Sequence, residues 1–127
     1  GVGIPLATGA AIACPDRQVI ALEADGSGMY TVQGLWTQAR EKLNILNCIW
    51  SNRSYAILNG ELANVGAENP GPKARDMLSL DDPAIDWVNV AEGLGVTARR
   101  VETVPEFAAA FREGLAHEGP FLIEVVM

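Results

Sequence analysis

Asp25, Ser27, Asn52 and Ser54 are the residues through which this sequence could do chemistry. Asp25 and Asn52, a carboxylate and a carboxamide 27 positions apart, are oxygen donors of the kind that hold a hard divalent cation. Asp25-Gly26-Ser27 comes directly after the apolar run Val19-Ile20-Ala21-Leu22. Asn52-Arg53-Ser54-Tyr55 comes directly after a second such run, Ile45 to Trp50. A helical pattern opens at Ser27, and the first turn of a helix presents N–H groups with no partner of their own, which suits an anion. A cation and a phosphate held side by side point to a diphosphate cofactor.

These residues need two neighbouring strand ends to bring them together. The stretch reads as strand, tight turn, helix, strand, polar turn. Both turns then lie at the carboxyl ends of adjacent parallel strands, where open α/β sheets bind ligands. Before it, Pro5 suits a first helical turn, and the small residues from Leu6 to Cys14 allow that helix to lie close against a sheet. Gln18–Glu23 reads as the first strand, apolar enough in its middle for burial on both faces. The next helix spans Ser27–Glu41, with Met29, Val32, Leu35, Trp36 and Ala39 on one stripe. Met29, Tyr30 and Trp36 are expected to pack in the core. Asn44–Trp50 is the second strand.

Ser54–Val65 reads as a helix with Leu58, Leu62 and Val65 on one side. From 67 to 75 the segment Asn69-Pro70-Gly71-Pro72 excludes regular structure, leaving either a mobile loop over a site or a surface connector. Pro83–Glu92 is the next expected helix, capped by Asp82 and ended by Gly93 and Gly95. Val96–Val101 is the third strand. Pro105–Ala116 is a helix with Phe107, Ala108, Phe111 and Leu115 facing in, and Thr103 with Glu106 forms a capping box. Pro120–Met127 is the fourth strand. Strands alternating with helices predict an α/β fold, a parallel sheet flanked by helices with right-handed crossovers, of doubly wound type.

At 127 residues the chain has room for one domain, 1–127, and buries roughly two thirds of its unfolded surface. A net charge of −7 and a pI near 4.5 argue against nucleic acid as a partner, since a duplex binder needs a basic face. An acidic chain still binds a diphosphate when a metal ion supplies the local positive charge. No apolar run is long enough to span a bilayer and no signal peptide is visible, so the expected location is cytoplasmic, with no membrane partner. Gly1-Val2-Gly3-Ile4-Pro5 has no initiator Met and runs straight into a helix, which reads as the middle of a longer chain.

Other polar residues have plainer roles. Cys14 and Cys48 fall in apolar surroundings and read as free, buried and reduced. The acids Asp81, Asp82 and Asp86 read as a solvated helix start rather than a metal site. His117 lies past a helix end at the surface. The turn Ala24-Asp25-Gly26-Ser27-Gly28-Met29 lacks the spacing of a dinucleotide loop, and no Walker-type Lys is present.

The stretch resembles the thiamine diphosphate motif, Gly-Asp-Gly followed some 25–30 residues later by Asn-Asn; it stands here as Ala24-Asp25-Gly26-Ser27 through Ser51-Asn52. Leu6-Ala7-Thr8-Gly9-Ala10-Ala11, Leu35-Trp36-Thr37 and Asn52-Arg53-Ser54-Tyr55-Ala56-Ile57-Leu58 are similar to the acetolactate synthase and benzoylformate decarboxylase branch. Across the whole chain the similarity is to the carboxyl-terminal, diphosphate-binding domain of acetolactate synthase-like large subunits, entered part-way through. Two positions depart from the motif. Ala24 replaces the first Gly and Ser51 the first Asn, while Asn52 preserves the metal-binding one.

The resemblance implies thiamine diphosphate and Mg²⁺ as cofactors. It implies Asp25, Asn52 and the Ser54 carbonyl as metal ligands, with diphosphate oxygens and water completing the shell. Gly26 and Ser27 would donate to the diphosphate, and Tyr55, Ala56 and Ile57 would approach the cofactor. Leu58 and Glu61, next to Ile57, would line the substrate side. The implied reaction is decarboxylation or carboligation of a 2-keto acid. The family's activating Glu belongs to a separate pyrimidine-binding domain, normally supplied by another subunit of a homo-oligomer. Nothing in 1–127 corresponds to that domain, so no catalytic residue is expected here, Glu23, Glu41 and Glu61 included, and the fragment alone is expected to be inactive. The rival reading is a non-catalytic α/β module that binds phosphate or only associates with another subunit.

Overall fold

The computed structural model describes residues 1–67 and 69–127. Glu68, within the segment expected to be irregular, lies outside them. Four strands, β1 (Val19–Ala24), β2 (Ile45–Ser51), β3 (Thr97–Val101) and β4 (Phe121–Val126), form one parallel sheet in the order β1-β2-β4-β3. This is the expected α/β architecture, and each strand lies within a residue or two of its expected bounds.

Parallel pairing puts paired residues on the same face. One face carries Ile49, Ala98 and Leu122, and it is covered by α1 (Gly3–Ala13), α3 (Gly34–Arg40) and α6 (Trp87–Gly93) through Ile4, Leu35, Trp87 and Ala91. The other face carries Leu46, Cys48, Phe121, Ile123 and Val125 and packs on α7 (Val104–Ala116). The small residues of α1 let it lie on β1 and β2: Ala7 and Ala11 form one buried cluster with Ala21 and Ile45.

Several expectations are corrected. β1 is not buried on both faces: Ile20 and Leu22 are 46% and 66% exposed, because β1 is a sheet edge and the helix on that side covers β2, β4 and β3 instead. The helix expected over Ser27–Glu41 is two pieces, α2 (Asp25–Met29) and α3, separated by turns at residues 30–33. The break places Gly34 against the Ile4 side chain, 2.7 Å from where a Cβ would stand, so α1 and α3 meet closely there. Met29, Tyr30 and Trp36 are exposed rather than core; the Arg40 guanidinium stacks over Trp36 at 5.4 Å. Leu115 is likewise exposed, and Ala110 and Gly114 are the buried positions of α7.

Pro83 begins no helix. Asp81 and Ala84 form an isolated bridge, and α6 starts at Trp87 with Asp86 as its cap, accepting from Asn89 N at 3.0 Å. The bonds to Asn89 hold the Asp86 carboxyl below its usual range. Within the stretch expected to be irregular, Pro72 opens a short helix, α5 (Pro72–Asp76). The helix α4 (Ala56–Asn64) starts two residues later than expected and buries none of its residues. Cys48 is buried and its thiol is pushed up to about 11 by burial, whereas Cys14 is exposed, contrary to expectation. Among the described residues no helix is long and apolar enough to cross a membrane.

The capping box on α7 is present. Thr103 Oγ1 accepts from Glu106 N at 3.4 Å, and the Glu106 carboxylate accepts from Glu102 N and Thr103 N at 3.0 and 3.1 Å. These bonds, that from Glu102 N first, hold the Glu106 carboxyl below its usual range. A lowered folded pKa stabilises the fold above the unfolded carboxyl pKa and loses that contribution as pH falls through the folded value. Thr103→Ala should cost about 1 kcal/mol at neutral pH. The Glu106→Gln penalty should shrink on acidification below about pH 4, near the ordinary Glu range. Urea midpoints across pH measure both.

Candidate functional site

The site forms where β1 and β2 end side by side, as their register requires: Ala24 pairs with Trp50, so Asp25 and Asn52 emerge at neighbouring strand ends. Ala24 has φ −84°, a conformation any L-residue adopts, so alanine in place of the motif's glycine carries no backbone penalty. Ser51 is buried, and its carbonyl accepts from Met127 N.

Asp25 is 1% exposed. Its Oδ1 accepts from Gly26 N at 2.9 Å and its Oδ2 from Arg53 N at 2.7 Å, so the carboxylate ties the two turns together. The ion pairs of the described residues join Arg40 to Glu41, Arg53 to Asp81, Arg99 to Glu113 and Arg100 to Glu124, and none includes Asp25. A carboxylate removed from water without a cation beside it is costly, and a bound metal ion would offset that cost.

On the second turn, Asn52 Oδ1 accepts from Ser54 N at 3.0 Å, and Arg53 takes up a left-handed conformation, φ 54°. The turn is braced by a returning segment. Tyr55 N donates to Leu78 O at 2.9 Å, Leu80 N donates to Arg53 O at 2.8 Å, and Ser54 Oγ donates to Leu78 O at 3.2 Å. This pattern skips the Ser54 carbonyl, the oxygen expected to face a metal. The Tyr55 ring lies on Gly26: a Cβ there would come within 2.7 Å of Tyr55 Cδ1. Only glycine allows this contact between the two turns.

A cavity of about 310 Å³ opens above these turns. Gly26, Ser27, Asn52, Ser54 and Tyr55 line its polar end, and Ala56, Ile57 and Leu58 line the wall formed by α4. Asp25, 1% exposed, is not among the lining residues. Glu61 does not reach the cavity; it is exposed on α4 beside an apolar groove made with Leu62, Val65 and Met77. Ala24 and Tyr30 also line the cavity and are not among the expected site residues; the Tyr30 ring stands 6.2 Å from that of Tyr55. For Tyr30 the available signal is its position three residues after Ser27, one helical turn on. The α2 helix begins at Asp25 and has five residues, so the expected long helix behind the anion site is absent. The acids Asp81, Asp82 and Asp86 make no metal cluster, and no group of three or more acidic, His or Cys ligands occurs among the described residues. A metal here would take one carboxylate, one carboxamide and one carbonyl from the protein and the rest of its shell from a ligand and water. His117 is half-buried past the end of α7, its ring 5.2 Å from that of Phe121 and away from these turns.

Residues 1–125 match the family model described as "Thiamine pyrophosphate enzyme, C-terminal TPP binding domain"; thiamine pyrophosphate and thiamine diphosphate are one compound. A Mycobacterium tuberculosis protein carrying the name acetolactate synthase large subunit IlvX is 56% identical over the whole chain, which spans 25% of that protein. Benzoylformate decarboxylase of Pseudomonas aeruginosa is 38% identical over 98% of the chain and 22% of its own length. The solved structure of a thiamine diphosphate-dependent 4-hydroxybenzoylformate decarboxylase from Rhodococcus jostii superposes with a TM-score of 0.87 at 38% identity, covering 98% of this chain and 22% of the other. The chain therefore spans about a quarter or less of the length of these relatives.

Proposed function

The chain belongs to the thiamine pyrophosphate enzyme family, matching its C-terminal TPP-binding domain, and from that premise we propose that it is the Mg²⁺–diphosphate-holding part of a larger enzyme acting on 2-keto acids by decarboxylation or carboligation. The observation that carries this reading is Asp25: a carboxylate 1% exposed, with no cationic partner among the described residues, tied at 2.7 Å to the turn that bears Asn52 and Ser54. Asp25, Asn52 and the Ser54 carbonyl hold the magnesium ion, which prefers oxygen ligands and keeps sites for diphosphate oxygens and water. Gly26 and Ser27 bind the diphosphate, and Tyr55, Ala56 and Ile57 approach the rest of the cofactor. Leu58 lies nearest the substrate side, and Glu61 lies outside the cavity. When bound, thiamine diphosphate supplies the covalent chemistry on the keto acid; the protein positions it and sets the electrostatics.

The activating Glu belongs to a pyrimidine-binding domain outside residues 1–127, contributed within a homo-oligomer. The 127-residue chain alone therefore binds cofactor weakly and does not turn over. Calorimetric titration with thiamine diphosphate should give heat only when Mg²⁺ is present, and thiamine lacking the diphosphate should give none. The isolated chain should release no CO₂ from pyruvate. Metal-independent binding, or turnover by the chain alone, contradicts the reading. The rival reading, a module that only associates with another subunit, draws on α4, which buries none of its residues, and on the exposed Ile20 and Leu22. It predicts no cofactor heat under either condition.

A further inference from the structure

Arg53 is one of two non-glycine residues with positive φ among the described residues, and the other, Lys42, lies in the connector before β2. A side chain in the left-handed region is strained, and such strain persists only where surrounding contacts enforce it. At Arg53 three groups are engaged at once. Its N–H donates to Asp25 Oδ2 at 2.7 Å, its carbonyl accepts from Leu80 N at 2.8 Å, and its Nη1 lies 3.2 Å from Asp81 Oδ1. Tyr55 N, two residues on, donates to Leu78 O. The segment from Leu78 to Asp81 thus grips the turn on both sides of Ser54, and the isolated bridge between Ser54 and Ser79 is the centre of that grip. A conformational flip at Arg53 would break the bond to Asp25 and release the turn.

We propose that Arg53 is a positioning residue for metal binding, and that its ion pair with Asp81 clamps the Asn52–Ser54 turn against the Leu78–Asp81 segment in the arrangement that binds magnesium. The inference rests on the magnesium-diphosphate reading above and extends it to two residues outside the cavity. Both partners are partly exposed, 40% and 59% by side chain, so the pair contributes modestly and is screened by salt. Its effect falls on the concentration of Mg²⁺ needed to organise the turn rather than on any contact with the cofactor.

The test measures the Mg²⁺ concentration for half-maximal thiamine diphosphate binding by the intact protein at low salt. Asp81→Asn should raise it about threefold, the scale of an exposed ion pair. Arg53→Gly, which keeps the left-handed conformation and loses the side chain, should do the same. Asp81→Glu should restore the wild-type value to within about twofold, and the double variant should be no worse than either single one, because both remove the same interaction. The differences should fade at about 0.5 M NaCl. Half-saturation unchanged in both single variants, or effects that simply add in the double variant, overturns the proposal. So does a lowered thermal midpoint of the metal-free protein with unchanged half-saturation, which assigns the pair to ordinary surface stability. Absence of any Mg²⁺-dependent binding in the wild type is a separate result: it refutes the underlying reading, and the proposal with it.

Discussion

Asp25→Ala should abolish Mg²⁺-dependent binding of thiamine diphosphate and cost the metal-free fold about 1–3 kcal/mol. The loss of binding follows from the burial of a carboxylate with no cationic side chain beside it. Loss of a residue that merely orients a metal ligand costs 10–100-fold in affinity, so loss of the charged ligand itself should exceed about 100-fold. In the metal-free protein the same carboxylate accepts from Gly26 N and Arg53 N, so its loss leaves both donors without that partner, which sets the stability cost. Asp25→Asn sharpens the test. It keeps the volume but has one acceptor oxygen, so it accepts from Gly26 N or Arg53 N and not both; binding should fall almost as far, with about 1 kcal/mol lost from the metal-free fold. Asn52→Ala should be weaker in its effect on the metal, because it removes a neutral ligand. It also frees Ser54 N, which now donates to Asn52 Oδ1. Calorimetry with and without Mg²⁺, set beside urea midpoints of the metal-free variants, separates the roles. An Asp25 with only a structural role would lose stability and keep its affinity.

Much of this site was legible from the sequence because it is local to two strand ends. The period of the apolar runs fixes where β1 and β2 stop, parallel pairing then sets Asp25 beside the Asn52 turn, and the turn residues do the rest. What was not legible depends on contacts across the chain. Tyr30 reads as one more apolar helical position, and only the break between α2 and α3 turns it toward the cavity. Glu61 has the right spacing from Ile57 to follow the cavity wall, but α4 carries it onto the groove beside Met77. The grip of Leu78–Asp81 on Arg53 joins residues more than twenty positions apart through backbone bonds, which leave no mark on residue type. The acids at 81–86 show the same limit: the pattern places a cap there, and the structure selects Asp86 rather than Asp82. Exposed Ile20 and Leu22 mislead for a different reason, since apolarity reports the burial a strand is suited to and these residues alone do not supply it.

Trp87→Ala should destabilise the fold by about 3–5 kcal/mol, and Trp87→Phe should change it by about 1 kcal/mol or less. Trp87 is fully buried at the start of α6, among Ile4, Leu35, Ile49 and Leu122, and is the largest side chain of the cluster beneath the sheet. Truncation to alanine removes that contact area and leaves a cavity that neighbours on four elements cannot close together. Phenylalanine behaves differently because of the indole nitrogen. Trp87 Nε1 is buried and has no hydrogen-bond partner, a loss of about 1–3 kcal/mol that phenylalanine does not incur. That gain offsets the smaller ring's lost burial. The tip of the indole also meets the site: a Cβ on Gly28 would stand 2.9 Å from Trp87 Cη2, so α2, which begins at Asp25, rests on this ring. Trp87→Ala should therefore weaken cofactor binding as well as stability, even at temperatures where the variant remains folded, whereas Trp87→Phe should keep both. Urea midpoints and calorimetric affinities on the same samples test the pair. Equal destabilisation by both substitutions would show that the indole N–H is satisfied after all. Unchanged affinity in folded Trp87→Ala would show that α2 holds Asp25 in place without the ring beneath it.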